Sequence, residues 1–66
     1  MPYLHDDRIA NRIEAEIEEI ENEIAELREW IEENPGKFDG VAEKERDIRY
    51  LRVLLKDTWD ELRGYE

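Results

Sequence analysis

Seven glutamates, Glu14, Glu16, Glu18, Glu19, Glu21, Glu23 and Glu26, crowd into thirteen consecutive residues. Carboxylates at this density could bridge two metal ions. That chemistry needs glutamates pointing inward from facing helices, completed by a Glu-x-x-His pair. The chain has no such pair, and the residues that recur with an inward period are isoleucine and leucine. The array therefore reads as a solvated acidic face, and no metal or other cofactor is expected. The single histidine, His5, stands beside Asp6 and Asp7. It has no neighbour in the sequence for metal binding or proton transfer, and reads as a terminal polar residue.

A second group with chemical potential is Arg49, Arg52 and Lys56, interleaved with Tyr50 and Trp59. Cations alternating with aromatic rings can track a nucleic-acid backbone while the rings stack on bases. The net charge of −10 opposes that use, because backbone binding is driven by positive charge. These cations, with Arg63, are expected instead to pair with Glu14, Glu16, Glu21 and Glu23 across a helical hairpin, and no direct nucleic-acid contact is expected. No nucleophile–base pair and no phosphate-binding loop occurs, so the chain does not read as an enzyme.

The elements that must carry these residues follow from apolar spacing. Ala10, Ile13, Ile17, Ile20, Ile24, Leu27 and Ile31 are separated by alternating steps of three and four. This is a heptad seam, and no glycine, proline, serine or threonine interrupts it. It predicts a helix over about residues 7–33, with Asp6 as a candidate N-cap. Asn34-Pro35-Gly36 then stops it, because proline disfavours helical geometry at the preceding residue and glycine suits a turn. Residues 34–39 form the connection. Asp39 or Gly40 is the expected cap of a second helix over about residues 40–63, with Glu43 placed to bond back if Gly40 takes that role, and Gly64 as a stop. In that helix Val41, Ile48, Leu55 and Leu62 recur every seven residues, and Leu51, Leu54, Thr58 and Trp59 widen the face.

Residues that face each other in an antiparallel hairpin have a constant index sum. Ile31 with Val41, Ile24 with Ile48, Ile17 with Leu55 and Ala10 with Leu62 all sum to 72. The expected fold is thus all-α: a single two-helix antiparallel coiled-coil hairpin spanning the chain. Trp30 and Phe38 are expected to pack over the turn, and Trp59 to fill space beside Ile13 at the open end.

Two helices bury only a stripe each, and a core this small rarely contributes more than about 3–5 kcal/mol without reinforcement. There are no cysteines, so reinforcement by disulfides is excluded. Tyr50, Leu51, Val53, Leu54 and Trp59, with Trp30 from the first helix, form the expected self-association or partner interface. A homodimer closing into a four-helix bundle is the expected assembly.

Charge is uneven. Residues 1–34 carry −9 and residues 35–66 carry −1. Glu14, Glu18, Glu21 and Glu26 are the candidate acidic face, able to imitate a nucleic-acid backbone and fill a basic groove of a protein partner. The short chain, its excess of arginine over lysine and its acidic helix resemble small phage-encoded proteins. An inhibitor acting through the acidic face is thus the alternative expectation to self-association and protein–protein contact, with the host cytoplasm as its place if it is phage-encoded. No stretch is apolar enough to span a membrane, no charged-then-apolar leader opens the chain, and −10 disfavours anionic membrane surfaces. A soluble, cytoplasmic protein is expected.

Overall fold

The computed structural model describes residues 7–64. The expected caps and end residues at His5, Asp6 and Tyr65 lie outside them. Two helices account for nearly all of this span: α1, Asp7–Glu33, and α2, Phe38–Arg63. They pack against each other as an antiparallel hairpin measuring 56 × 15 × 10 Å. The smallest dimension is about one helix diameter, so the hairpin is a single layer. Each helix leaves two sides and an outer edge uncovered. Among the described residues, no helix is long and apolar enough to cross a membrane.

The helix α1 ends where proline requires it to end. Asn34 closes the last turn, its backbone N–H donating to the Ile31 carbonyl at 3.2 Å and its side-chain amide to the Trp30 carbonyl at 2.8 Å. The backbone N–H of Lys37 then donates to the Asn34 carbonyl at 3.1 Å, closing a four-residue turn with Pro35 at its second position. No described glycine has a positive φ, so the turn does not depend on glycine at position 36.

The chain re-enters helix two residues earlier than the sequence suggests. Lys37, not Asp39 or Gly40, is the N-cap of α2, and its side chain makes no capping hydrogen bond. Its carbonyl accepts the first helical bond, from Val41 N–H at 2.8 Å. Asp39 therefore sits inside the first turn, where its charge complements the helix dipole. Gly64 is the C-cap, as its position suggests.

The core is the heptad seam. Ile20, Ile24, Ile48 and Leu51 form one buried cluster with Leu27, Ile31 and Leu55 against it. Ile13, Ile17 and Leu62 form another, with Ala10 and Leu55 against it. Ile24 and Ile48 share the first cluster, and Ile17 with Leu55 and Ala10 with Leu62 share the second, in keeping with a register of constant index sum 72. Ile31 and Val41, the fourth pair, are both half-buried near the turn.

The second line of the α2 seam differs from expectation. Besides Gly40 under the Trp30 ring, the buried or half-buried positions in α2 are Val41, Lys44, Ile48, Leu51, Leu55, Thr58 and Leu62, which repeat the three-then-four steps of α1. Thr58 is buried there, and its hydroxyl donates to the Leu54 carbonyl at 2.8 Å. Trp59, expected to plug the open end, remains 45% exposed. Phe38, expected over the turn, is 78% exposed because it is the first residue of α2 and points away from the seam. Trp30 alone closes the turn end, packed against Gly40 with the Lys44 ammonium 5.1 Å from its ring centroid.

Candidate interaction surfaces

The two sides of the hairpin have different chemistry. One groove between the helices is lined by Glu21, Ile24, Ala25, Arg28, Glu29, Glu32, Arg52 and Leu55. It continues through the shared residues Arg28 and Arg52 into a stretch lined by Ile31, Glu45, Ile48 and Arg49. This is the arginine-bearing side. Glu14 and Glu18 extend the Glu21 row along α1 at helical spacing, and Lys56 extends the Arg49–Arg52 row along α2.

The opposite groove is lined by Glu16, Glu19, Ile20, Glu23, Leu51, Leu54 and Thr58. Through Glu23 and Leu51 it continues to Glu26, Leu27, Trp30, Lys44 and Asp47. Five carboxylates border this groove, and its one cation, Lys44, is held over the Trp30 ring. It is an acidic groove with an apolar floor.

This geometry divides the residue sets read from the sequence. Of the candidate acidic face, Glu14, Glu18 and Glu21 share one row. Glu26 lies five residues beyond Glu21, about 140° around the helix, and borders the opposite groove. Of the expected interface, Leu51 is buried in the seam and cannot serve as an outward contact in the hairpin. Tyr50 and Val53 are 66% and 62% exposed on the outer edge of α2, with the less exposed Leu54 beside them. Trp59, seven residues after Arg52, falls on the arginine-bearing side, and Trp30 lies at the turn. The six residues do not form one patch.

The expected cross-hairpin ion pairs do not close. Among the described residues, Arg8 aside, the ion pair within 4.0 Å is Arg63 with Asp60 at 3.7 Å, both on α2 and both exposed. Glu16 and Glu23 border the acidic groove, away from the arginines expected to meet them. Glu21 does share a groove with Arg28 and Arg52, without reaching contact distance. Glu21, Arg28 and Arg52 are all exposed, where holding two long side chains in one geometry gains little over solvation. Among the described residues no three carboxylates or histidines converge as a metal would need. The seam is filled by Ile and Leu, and the glutamates project to solvent.

Comparison with protein-family models, with curated proteins and with solved structures finds no match to this chain.

Proposed function

We propose that this is a cytoplasmic, non-enzymatic hairpin that acts through protein–protein contact, associating with a second copy into a four-helix bundle and presenting the remaining surface to a protein partner. The observation that carries this reading is the mismatch between core and surface. Even the best-buried core residues, Ile13 and Ile17, keep 4% exposure, while Ile9, Phe38, Tyr50, Val53, Leu54 and Trp59 stay in solvent. A single layer that leaves this much apolar area uncovered gains most from a second layer. Sedimentation of the chain at micromolar concentration tests it. A dimer of about twice 8.0 kDa is expected, and a clean monomer that unfolds only at high temperature overturns the reading.

A second reading rests on the carboxylate rows of α1. Glu14, Glu18 and Glu21 run along one side and Glu16, Glu19, Glu23 and Glu26 along the other, all exposed. Such a rod suits a decoy, phage-encoded or otherwise, for the basic groove of a nucleic-acid-binding protein. Capture of such a protein that weakens steeply between low and high salt, and competes with DNA or RNA, supports it. Capture indifferent to salt overturns it.

A further inference from the structure

Self-association, on which this inference rests, can use either side of the hairpin, and the charges on the two sides choose between them. We infer that the second copy docks on the arginine-bearing side, through a two-fold axis running parallel to the helices.

That side carries two rows of charge. Helix α1 contributes Glu14, Glu18 and Glu21, and α2 contributes Arg49, Arg52 and Lys56, with Glu21 and Arg52 lining one groove. Two hairpins can face each other across this side in two symmetric ways. An axis perpendicular to the helices sets α1 over α1 and α2 over α2, so carboxylates meet carboxylates and cations meet cations. An axis parallel to the helices sets α1 of each copy over α2 of the other.

The parallel axis also leaves every residue at its own level. The register of index sum 72 within one hairpin is therefore the register between copies. Glu21 comes level with Leu51 of the second copy, between Arg49 and Arg52. Glu18 comes level with Leu54, between Arg52 and Lys56. Arg28 comes level with Lys44 and next to Glu45, which lines the same groove. Acidic and basic rows interlock twice, once on each flank of the bundle, and the isologous contact closes at two copies. Trp59 is covered as well, while Tyr50, Val53 and Leu54 lie off this side and stay open to a protein partner.

The opposite side has no such solution. Its α1 row is Glu16, Glu19, Glu23 and Glu26, and α2 answers with Asp47 and with Lys44, which already lies over Trp30. Like charges placed across an interface oppose association, so that groove disfavours a second copy of this chain.

The test uses two charge-reversed chains, Glu18→Arg with Glu21→Arg, and Arg49→Glu with Arg52→Glu. Each alone puts like rows face to face and is expected to dissociate about tenfold more readily, or worse, than the unaltered chain. Mixed in equal amounts they restore opposite rows between chains, and a heterodimer near the unaltered affinity is expected. Glu16→Arg with Glu19→Arg, on the other side, is expected to leave association unchanged.

Should a reversed chain fail to fold, single cysteines carry the same test, since the protein has none of its own. A Glu21→Cys chain mixed with an Arg52→Cys chain is expected to cross-link under oxidation, and a Glu16→Cys chain mixed with a Leu54→Cys chain is not. A stable dimer that ignores the reversals on the arginine side, or that cross-links through Glu16→Cys and Leu54→Cys, overturns this choice of face and leaves self-association standing. A chain that stays monomeric at every concentration overturns both.

Discussion

Gly40 lies so close to Trp30 that a β-carbon added to the glycine would stand 2.6 Å from Cη2 of the indole ring. This approach closes the turn end of the hairpin, and only a glycine in the first turn of α2 allows it. Glycine normally weakens a helix relative to alanine by about 1 kcal/mol, so Gly40→Ala should stabilise if propensity decides. The ring is a rigid, half-buried body with the Lys44 ammonium over it, and moving it disturbs the seam. Gly40→Ala is therefore expected to destabilise by about 1–3 kcal/mol, the usual range for overpacking. Gly36 is the control. Nothing lies within 4 Å of a β-carbon there, and its φ is not positive. Gly36→Ala is expected to stabilise by about 0.4–1 kcal/mol by restricting the unfolded chain. Urea denaturation of the two variants should shift in opposite directions, and in a Trp30→Leu background the penalty at Gly40 should largely vanish.

The cap of α2 leads to a second prediction. Lys37 occupies the N-cap without any side-chain hydrogen bond to the helix start. An aspartate there could accept from the free N–H groups of the first turn and place negative charge against the helix dipole. Lys37→Asp is expected to raise stability by about 0.5–2 kcal/mol. Thermal unfolding followed by circular dichroism checks it, and an unchanged midpoint would show that the backbone angles at position 37 (φ −99°, ψ 74°) keep the carboxylate out of reach.

Much of this hairpin can be read from residue types and spacing, and what cannot be read has a definite physical cause. The α1 seam was legible because isoleucine or leucine fills every step after Ala10. In α2 the seven-residue interval of Val41, Ile48, Leu55 and Leu62 fixed one line of contact. The other line passes through Lys44 and Thr58, whose polarity hides it, while Leu54 and Trp59 look more suited to a core. The usable signal lay in the partner helix: α1 advances by three and then four, and the same advance from Leu55 reaches Thr58 and then Leu62. The residues of the candidate interface are dispersed for a related reason. Apolar character alone grouped Tyr50, Leu51, Val53, Leu54, Trp59 and Trp30, whereas three faces and the seam divide them. The helix start was missed because aspartate and glycine are good caps, and the tight turn at Pro35 left no length for them to act there.

Thr58 in the seam gives a third prediction. Its hydroxyl bonds to the Leu54 carbonyl four residues back, a carbonyl that the helix already uses, so removing the hydroxyl orphans no acceptor. A buried hydroxyl costs desolvation that this redundant bond only partly offsets. Thr58→Val keeps the shape and is expected to stabilise by about 0.5–1.5 kcal/mol. Thr58→Asp, which puts a charge into the same buried place, should abolish cooperative unfolding. A loss of stability in the valine variant would show that the hydroxyl has a polar role that the Leu54 bond does not account for.

The acidic row bordering the apolar groove gives the last prediction. Glu16, Glu19, Glu23 and Glu26 follow one another by three or four residues on α1, so every neighbour in the row is a like charge at helical contact spacing. Each such pair destabilises a helix by about 0.2–0.5 kcal/mol, and an opposite pair stabilises it by as much. Glu19→Lys converts the contacts to Glu16 and Glu23 together, and is expected to gain about 1 kcal/mol or somewhat more. The gain is electrostatic, so it should shrink as salt rises and the Debye length falls from about 10 Å at 0.1 M toward 3 Å at 1 M. Over the same range the unaltered chain should become more stable, because salt screens the repulsion already present in its own row. The two melting temperatures, measured at a concentration where both chains are monomeric, should therefore converge with salt. Persistence of the full difference at 1 M would mean that the introduced lysine gains its stability from packing on the groove floor, and that the acidic row stores no appreciable repulsion.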